Sequence, residues 1–402
     1  MPMFPNIIQL YKDSFSGLSR SVWLLSLIMF INRAGAMVLP FMTLFLTKSL
    51  GFSLSQAGWV MGAYGLGSIL GAYIGGQLTD RFGFYHIQLY SLIGSSVFLF
   101  LLIILTDYYL ILLTVFIFSM IADTLRPANS VAIAAYSAPE NRTRSFSLMR
   151  FAVNLGFSVG PALGGIVAEY MGYRWIFLID GVTCLGAALI LFLYLPFNQV
   201  HLPKKKSREI PKGPSAYQDT SYLLFIFLTA IWATLFFQLF TSVPVYWEKD
   251  LCFTEGKIGL LLALNGLIIV LFEMPLIKSL EHITRYMRMI SLGSIFLVLG
   301  FLSLISGSDS LLLAITFIVF MSFAETFSMP FMTNYAVSRP TEDRRGQYMA
   351  LYAMAYGVAH IMAPIGSMQL AERFGFSMTY LIFMVFSMAI TLAYYSMRSR
   401  KT

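Results

Sequence analysis

Charged side chains inside long apolar segments are the residues of this sequence with the clearest chemical potential. Arg33, Asp123, Arg126, Glu273 and Glu325 each lie within a run of about 20 mostly apolar residues. A charge at the centre of a bilayer costs about 2.5–3.5 kcal/mol on insertion scales, so each of these residues requires a reason. Such residues predict either a proton or substrate pathway or an internal ion pair.

The three acids are candidate proton carriers. Glu273 and Glu325 have no basic residue in the interior of their own apolar segments. Because burial favours the neutral form of a carboxyl group, either could bind a proton on one side of a membrane and release it on the other. The alternative is that each is a hydrogen-bonded structural acid. Asp123 shares a helix face with Arg126, so Asp123 is either a third carrier or the ionised partner of Arg126 or Arg33.

Cationic and amide side chains in the same segments supply candidate substrate contacts. Arg33 and Arg126 could bind a carboxylate, or Arg33 could balance Asp123. Buried amides could hydrogen-bond a substrate or could join neighbouring helices. The candidate substrate-binding residues are Arg33, Arg126, Asn32, Asn154, Gln238 and Asn265.

The composition places these residues in a membrane protein. Of 402 residues, 58% are hydrophobic and 11% are charged, and the mean hydropathy is +0.74, whereas a soluble chain carries about 25% charged residues. A soluble enzyme, a disordered chain and a disulfide scaffold are therefore excluded. The sequence has no phosphate-binding loop, no nucleophile motif and no metal-ligand spacing. We therefore expect no catalytic residue, no metal, no cofactor and no enzymatic activity.

Continuous apolar runs predict an all-α membrane protein with about twelve spanning helices. Most of the 27 Lys and Arg residues fall in segments on the side of the N-terminus. This distribution predicts a multi-pass protein of a bacterial-type plasma (inner) membrane with both termini in the cytoplasm, and it explains the net charge of +8 without nucleic-acid binding. The predicted spans are 22–46, 56–78, 88–106, 110–135, 148–168, 175–196, 221–243, 257–277, 288–307, 310–333, 347–370 and 377–397.

The two halves of the sequence repeat each other. At a nearly constant shift, Asp80 aligns with Glu281 and Asp123 aligns with Glu325. A parallel repeat predicts two pseudo-symmetric six-helix bundles, related by an axis along the membrane normal, with a cavity between them. The expected units are an N-terminal bundle over 1–196, a cytoplasmic linker over 197–220 and a C-terminal bundle over 221–402.

A loop between the second and third predicted spans carries a second set of candidate residues. Gly76 and Gly83 permit close helix approach and a tight turn, while Asp80 and Arg81 can cap helix ends and pair across the two bundles. The loop resembles the G-x-x-x-D-R-x-G-R-R/K motif of the major facilitator superfamily, although aromatic residues and a histidine replace its last basic residues. The resemblance implies a gating function for Gly76, Asp80, Arg81 and Gly83.

The fifth predicted span contains Gly156, Gly160, Pro161, Gly164 and Gly165. This pattern resembles G-x-x-x-G-P-x-x-G-G, which is typical of the proton-coupled antiporter branches of the same superfamily. Glycines at four-residue spacing form a flat face on which another helix packs closely, and the proline bends its helix. We therefore predict a helix-packing function for all five residues.

The resemblance covers nearly the whole chain and implies a secondary active transporter that works by alternating access. Its expected partners are a small-molecule substrate, protons and the lipid bilayer, and we expect a monomer. The span-five motif favours export of amphipathic drugs or metabolites by proton antiport. Arg33 and Arg126 favour the alternative, proton-coupled uptake of a small anionic or zwitterionic solute such as a peptide or organic acid. A remote third interpretation is a lipid flippase or a non-transporting membrane sensor.

Overall fold

The computed structural model describes residues 17–195, 215–280, 285–305, 310–341 and 344–397, and these ranges are almost entirely helical. The helices of the first half are α1 (Arg20–Gly35), α2 (Val38–Leu44), α3 (Leu54–Phe82), α4 (Phe84–Ile104), α5 (Tyr108–Asp123), α6 (Leu125–Tyr136), α7 (Arg142–Met171) and α8 (Tyr173–Tyr194). The helices of the second half are α9 (Thr220–Phe236), α10 (Ser242–Lys249), α11 (Glu255–Leu280), α12 (Tyr286–Ile305), α13 (Leu311–Ser338) and α14 (Arg345–Met397).

The described helices account for the predicted number of membrane crossings. Within the described ranges, 11 helical segments are long and apolar enough to span a membrane. The last of these segments, in α14, is interrupted at Gly375 and so contains two crossings, which gives twelve in all. The predicted all-α fold is confirmed. The predicted linker, 197–220, lies outside the described residues except for 215–220.

Glycines in the left-handed region join successive helices without a loop. Gly83, with φ of +83°, lies between α3 and α4, and Gly172, with φ of +92°, lies between α7 and α8. Gly375 interrupts α14 in the same way, with φ of +77°. Only glycine adopts such a φ at little cost, so these positions fix where the chain reverses at the membrane surface.

The two halves meet along two equivalent lines of contact. α3 packs against α14, and α7 packs against α11. In each line the second crossing of one half meets the fifth crossing of the other, which is the arrangement expected of two pseudo-symmetric bundles. Small residues permit the close approach: a Cβ atom at Gly65 on α3 would lie 2.7 Å from the carbonyl oxygen of His360 on α14.

An ion pair closes one end of the second half. Asp219 caps α9 by accepting a hydrogen bond from the backbone N–H of Tyr222. Its carboxylate also accepts two hydrogen bonds from Arg339, from Nε at 2.6 Å and from Nη2 at 2.8 Å. We call this end of the bundle, where α9 begins and α13 ends, the Arg339 end. The opposite end, where Lys48 follows α2, is called the Lys48 end.

Replacing Arg339 by methionine is expected to lower stability by about 2 kcal/mol, because a largely buried carboxylate loses its charged hydrogen-bond donors. Burial opposes ionisation of Asp219, but the hydrogen bonds from Arg339 and Tyr222 prevail and hold the pKa of Asp219 below its ordinary value. The stabilisation is therefore present above the ordinary pKa of aspartate and is lost as the pH falls through the depressed value. Thermal unfolding in detergent measures the effect, and the exposed Arg373, replaced by methionine, is the control.

Candidate functional site

A cavity of about 290 Å³ lies between the two halves. Helices of both halves contribute to its wall: α1, α2, α3, α6 and α7 from the first, and α9, α11, α13 and α14 from the second. The lining is mostly aromatic and aliphatic, with a few polar groups, which is the usual make-up of a small-molecule site. Its aromatic residues are Tyr64, Phe157, Phe236, Phe237 and Phe240, and its charged or titratable residues are Arg33, Arg126, Glu325 and His360.

The first half places an ion pair at the cavity wall. Arg126 Nε lies 2.7 Å from Asp123 Oδ1, and Asp123 is only 3% exposed. The hydroxyl of Ser68 on α3 donates a hydrogen bond to the other oxygen of Asp123. Of the two alternatives for Asp123, the structure therefore contains the internal pair with Arg126. Each oxygen of the Asp123 carboxylate therefore has a partner within the first half.

Arg33 lies beside this pair and is partnered differently. Its guanidinium carbon lies 5.4 Å from the centre of the Phe157 ring, in a cation–π contact. Its buried Nε has no hydrogen-bond partner among the described residues. The residue lines both the central cavity and a second cavity of about 60 Å³ that also contacts Asp180. Arg33 therefore presents a donor that a ligand could use.

The second half contributes an acid. Glu325 on α13 lines the cavity next to Asn265 on α11, whose amide nitrogen donates to Ser322 Oγ at 2.9 Å. Arg150 on α7 interacts electrostatically with Glu325 across the gap between the halves. Arg150 is not among the candidate residues that the sequence predicts, although it lies within the fifth predicted span. Its four-residue spacing from Asn154, which also lines the cavity, could have revealed that both lie on one face of α7.

His360 is a second functional candidate that the sequence prediction missed. It lies on α14 at the cavity wall, where its ring stacks on Phe237 with a centroid separation of 4.0 Å. The side chain approaches the cavity from the half opposite to Asp123 and Arg126, with which it interacts electrostatically. The imidazole can donate or accept a hydrogen bond here, so the cavity has polar side chains from both halves.

The predicted amide contacts divide into two groups. Asn154 and Asn265 line the central cavity, whereas Asn32 donates to Cys184 Sγ at 3.5 Å beside the smaller cavity. Gln238 lies outside the cavity wall and is fully buried. Its amide nitrogen donates to two backbone carbonyls, and its oxygen accepts from the hydroxyls of two residues in the adjoining turn. Gln238 therefore stabilises the break between α9 and α10 and has no group left for a ligand.

Glu273, the other predicted carrier, lies on α11, but its side chain falls outside the described residues. Its assignment stays a prediction.

The five-residue packing motif of α7 has two faces. Gly156 and Gly160 approach the backbone of α1 at Arg33 and Ala34, and Gly164 packs against α2. Gly165 points the other way, toward α11, where an added Cβ atom would lie 3.0 Å from Gly259 Cα. Pro161 lines the cavity, and its carbonyl oxygen lies against Gly259. One face therefore holds the first half together and the other joins the two halves.

Charged groups hold the two halves together at the Lys48 end. Lys48 Nζ lies 2.7 Å from Glu255 and 3.2 Å from Glu248, both in the second half. Tyr173 on α8 donates to Glu255 at 2.7 Å, and Glu372 accepts from the backbone N–H of Ser55 at 2.8 Å. We call this set the Lys48 clasp. The sequence does not single out Lys48 as a candidate residue, because its partners come from the distant half of the chain.

Replacing Lys48 by methionine is expected to shift the equilibrium toward an open Lys48 end by about 1 kcal/mol, or fivefold, because the lysine is partly exposed and such pairs contribute little more. Disulfide cross-linking between cysteines introduced at Ser55 and Glu372, in a background without the two native cysteines, measures closure. Lys257→Met, at an exposed lysine of the same end, is the control. An unchanged cross-linking yield in the Lys48 variant would exclude a gating role for the clasp.

The predicted gating loop lies at the other end and contacts solvent. Asp80, Arg81 and Gly83 are exposed, and the Arg81 guanidinium carbon lies 5.1 Å from the ring of its neighbour Phe82. Gly76 has open space where a Cβ atom would lie, whereas the adjacent Gly75 packs against Thr124. In this conformation the close packing of α3 against Thr124 therefore comes from Gly75 rather than from Gly76.

Comparison with known proteins matches this architecture. The chain is 24% identical over 389 residues to the uncharacterized MFS-type transporter YttB of Bacillus subtilis, covering 93% of this chain and 95% of that protein. It is 25% identical over 395 residues to a Na(+), Li(+), K(+)/H(+) antiporter of Planococcus maritimus, covering 88% and 89%. It is 24% identical over 336 residues to the quinolone resistance protein NorA of Staphylococcus aureus, covering 82% and 84%.

Solved structures and a family model agree with these relatives. The nucleoside transporter NupG superposes with a TM-score of 0.75 at 16% identity, covering 95% of this chain and 100% of that one. A POT peptide transporter in complex with sulfate superposes with a TM-score of 0.78 at 16% identity, covering 96% of each chain. The model of the Major Facilitator Superfamily matches residues 22–364 and 246–402. With its two pseudo-symmetric bundles and the cavity between them, the chain belongs to the Major Facilitator Superfamily, whose members are transporters rather than enzymes.

Proposed function

We propose that this protein exports amphipathic drugs or metabolites in exchange for protons, by alternating access of the central cavity to the two sides of a bacterial plasma membrane. The observation that carries the proposal is Glu325, an acid in an aromatic-lined cavity that faces Arg150 of the opposite half. A carboxyl group there can exist with or without a proton, and it attracts the Arg150 guanidinium only when it is ionised. Proton binding therefore changes the attraction between the halves, which is what coupling requires.

The cavity lining supports an amphipathic substrate. Five aromatic residues and the methionines Met61 and Met329 provide apolar, adaptable surface. Arg33, Arg126 and Glu325 provide a small number of charged contacts. The similarity to a quinolone resistance protein and to a cation/proton antiporter supports the same substrate class and exchange mode.

The conformation supports one direction of access. The Lys48 clasp joins the halves at one end, while Asp80 and Arg81 are exposed at the other. The cavity is therefore proposed to open toward the Arg339 end, which the distribution of basic residues assigns to the cytoplasm. In this state a monomer would take its substrate from the cytoplasm or the inner leaflet.

A second candidate function is proton-coupled uptake of a small anionic or zwitterionic solute. Arg33 favours it, because its buried Nε has no hydrogen-bond partner among the described residues and could donate to a carboxylate.

The deciding experiment uses the purified protein in liposomes that contain a pH-sensitive dye. A thermal-shift screen of aromatic cations, organic acids, peptides and lysolipids first selects the class that stabilises the protein. Antiport predicts that outward movement of that class is accompanied by inward proton movement. Movement of solute and protons in the same direction would instead favour proton-coupled uptake. A rate of solute movement that does not depend on the pH gradient would exclude proton coupling.

A further inference from the structure

Aromatic side chains of the second half form one wall of the central cavity, at the break between α9 and α10. Phe237 and Phe240 begin and end the short 3₁₀ turn that follows α9, and both line the cavity. Because a 3₁₀ turn repeats every three residues, these two side chains lie on the same side of the turn. His360 on α14 joins this wall, since its ring stacks on Phe237 with a centroid separation of 4.0 Å and an interplanar angle of 19°. The wall therefore combines apolar rings with one imidazole.

Buried hydrogen bonds fix the position of this wall. Gln238 follows Phe237 in the turn, and its amide nitrogen donates to the carbonyl oxygen of Ala363 on α14 at 3.3 Å. Its amide oxygen accepts from the hydroxyl of Ser242 at 2.8 Å. Ala363 lies three residues beyond His360, so the first bond joins the turn to the same stretch of α14 that carries the imidazole. The stack of His360 on Phe237 is therefore preorganised, which lowers the cost of binding a ligand against it.

The polar edge of His360 is available to a ligand. Neither ring nitrogen is fully enclosed, and neither has a hydrogen-bond partner among the described residues. In either protonation state an imidazole has at least one N–H donor. That donor points outward in the plane of the imidazole, and this plane is nearly parallel to the Phe237 ring. An acceptor would therefore lie beside the imidazole rather than above it, in a layer nearly parallel to the Phe237 ring.

We propose that His360 determines substrate specificity by donating a hydrogen bond to a nitrogen or oxygen acceptor on the edge of a planar aromatic amphiphile. The ring of such a substrate finds apolar surface on both sides of the cavity, at Phe240 in the second half and at Tyr64 and Phe157 in the first. A substrate of the same shape without the acceptor leaves the N–H group unpaired, and its affinity is lower for that reason. This inference rests on the proposed function, because it takes the central cavity as the substrate site.

Two probes of the same shape test the proposal. One is a quinoline and the other a naphthalene, and both carry a methylene-linked trimethylammonium group at equivalent positions, so that only the quinoline has a ring nitrogen that accepts a hydrogen bond. Isothermal titration calorimetry measures binding of each probe to the purified protein in detergent. The unmodified protein is expected to bind the quinoline about fivefold more tightly, the usual effect of one neutral hydrogen bond. His360→Phe keeps a ring that can stack on Phe237 but has no donor, so this preference is expected to disappear while the affinity for the naphthalene stays the same.

His86→Phe is the matched control, because it makes the same substitution at a histidine of α4 that does not line the central cavity. A preference for the quinoline that persists in the His360 variant would overturn the proposal, and so would equal binding of both probes, or of neither, by the unmodified protein. A parallel loss of affinity for both probes in the variant would show a structural role and would overturn it as well. Binding is measured without transport, so the proposed antiport fails separately, when the liposome assay detects no exchange of solute for protons.

Discussion

Glu325→Gln will reduce proton-driven transport by at least about a hundredfold while substrate counterflow persists. Glutamine keeps the shape of the side chain and its hydrogen-bonding capacity toward Asn265, so the cavity is preserved. It cannot ionise, and the interaction with Arg150 across the halves therefore no longer depends on the proton. The variant should consequently move substrate down its own gradient and fail to respond to a pH gradient.

The measurement is the liposome assay with an imposed pH gradient, with Glu140→Gln as the control because Glu140 is exposed. Glu273→Gln forms the third arm. Retained coupling in the Glu325 variant together with lost coupling in the Glu273 variant would place the proton carrier on α11 and contradict a carrier role for Glu325. If both variants still respond to the pH gradient, neither glutamate carries the coupled proton.

Gly165→Val will prevent full closure of the Lys48 end and reduce transport by about thirtyfold, which corresponds to about 2 kcal/mol of overpacking. A Cβ atom at Gly165 would lie 3.0 Å from Gly259 Cα and would clash with the backbone oxygen of Glu255. These backbone atoms cannot rotate away as a flexible side chain would. The clash therefore separates α7 from α11 at the level where Glu255 meets Lys48.

Gly186→Val is the matched control, because Gly186 is a helical glycine with nothing within 4 Å of an added Cβ atom. The Ser55–Glu372 cross-link reports closure, and thermal unfolding shows whether each variant is folded. A Gly165 variant that is folded, forms the cross-link in normal yield and transports normally would show that close contact of α7 with α11 is unnecessary for the cycle.

Local patterns in the sequence predict the parts of this site that depend on one helix. The Asp123–Arg126 pair follows from a spacing of three residues, and the glycine face of α7 follows from spacings of four. The all-helical fold and its repeat follow from apolar runs and from the order of matching residues.

What the sequence does not predict depends on how helices are rotated and brought together. Arg150 and His360 reach the cavity because particular faces of α7 and α14 point inward. Gln238 has the right chemistry for a substrate contact, but an irregular turn between α9 and α10 uses its hydrogen bonds. The Lys48 clasp joins residues about 200 positions apart, so only the docking of the two halves creates it.

Because its glycines pack against helices on two sides, α7 connects the Lys48 clasp to Arg33 at the cavity. One face fixes the position of Arg33, and the other sets the distance to Glu255 in the clasp. A tilt of this helix would change both contacts together, so the positions of Arg33 and Glu255 are coupled through α7. Thermodynamic linkage makes this coupling reciprocal. If opening of the Lys48 clasp changes the affinity for a ligand at Arg33 by some factor, binding of that ligand changes the equilibrium constant for opening by the same factor.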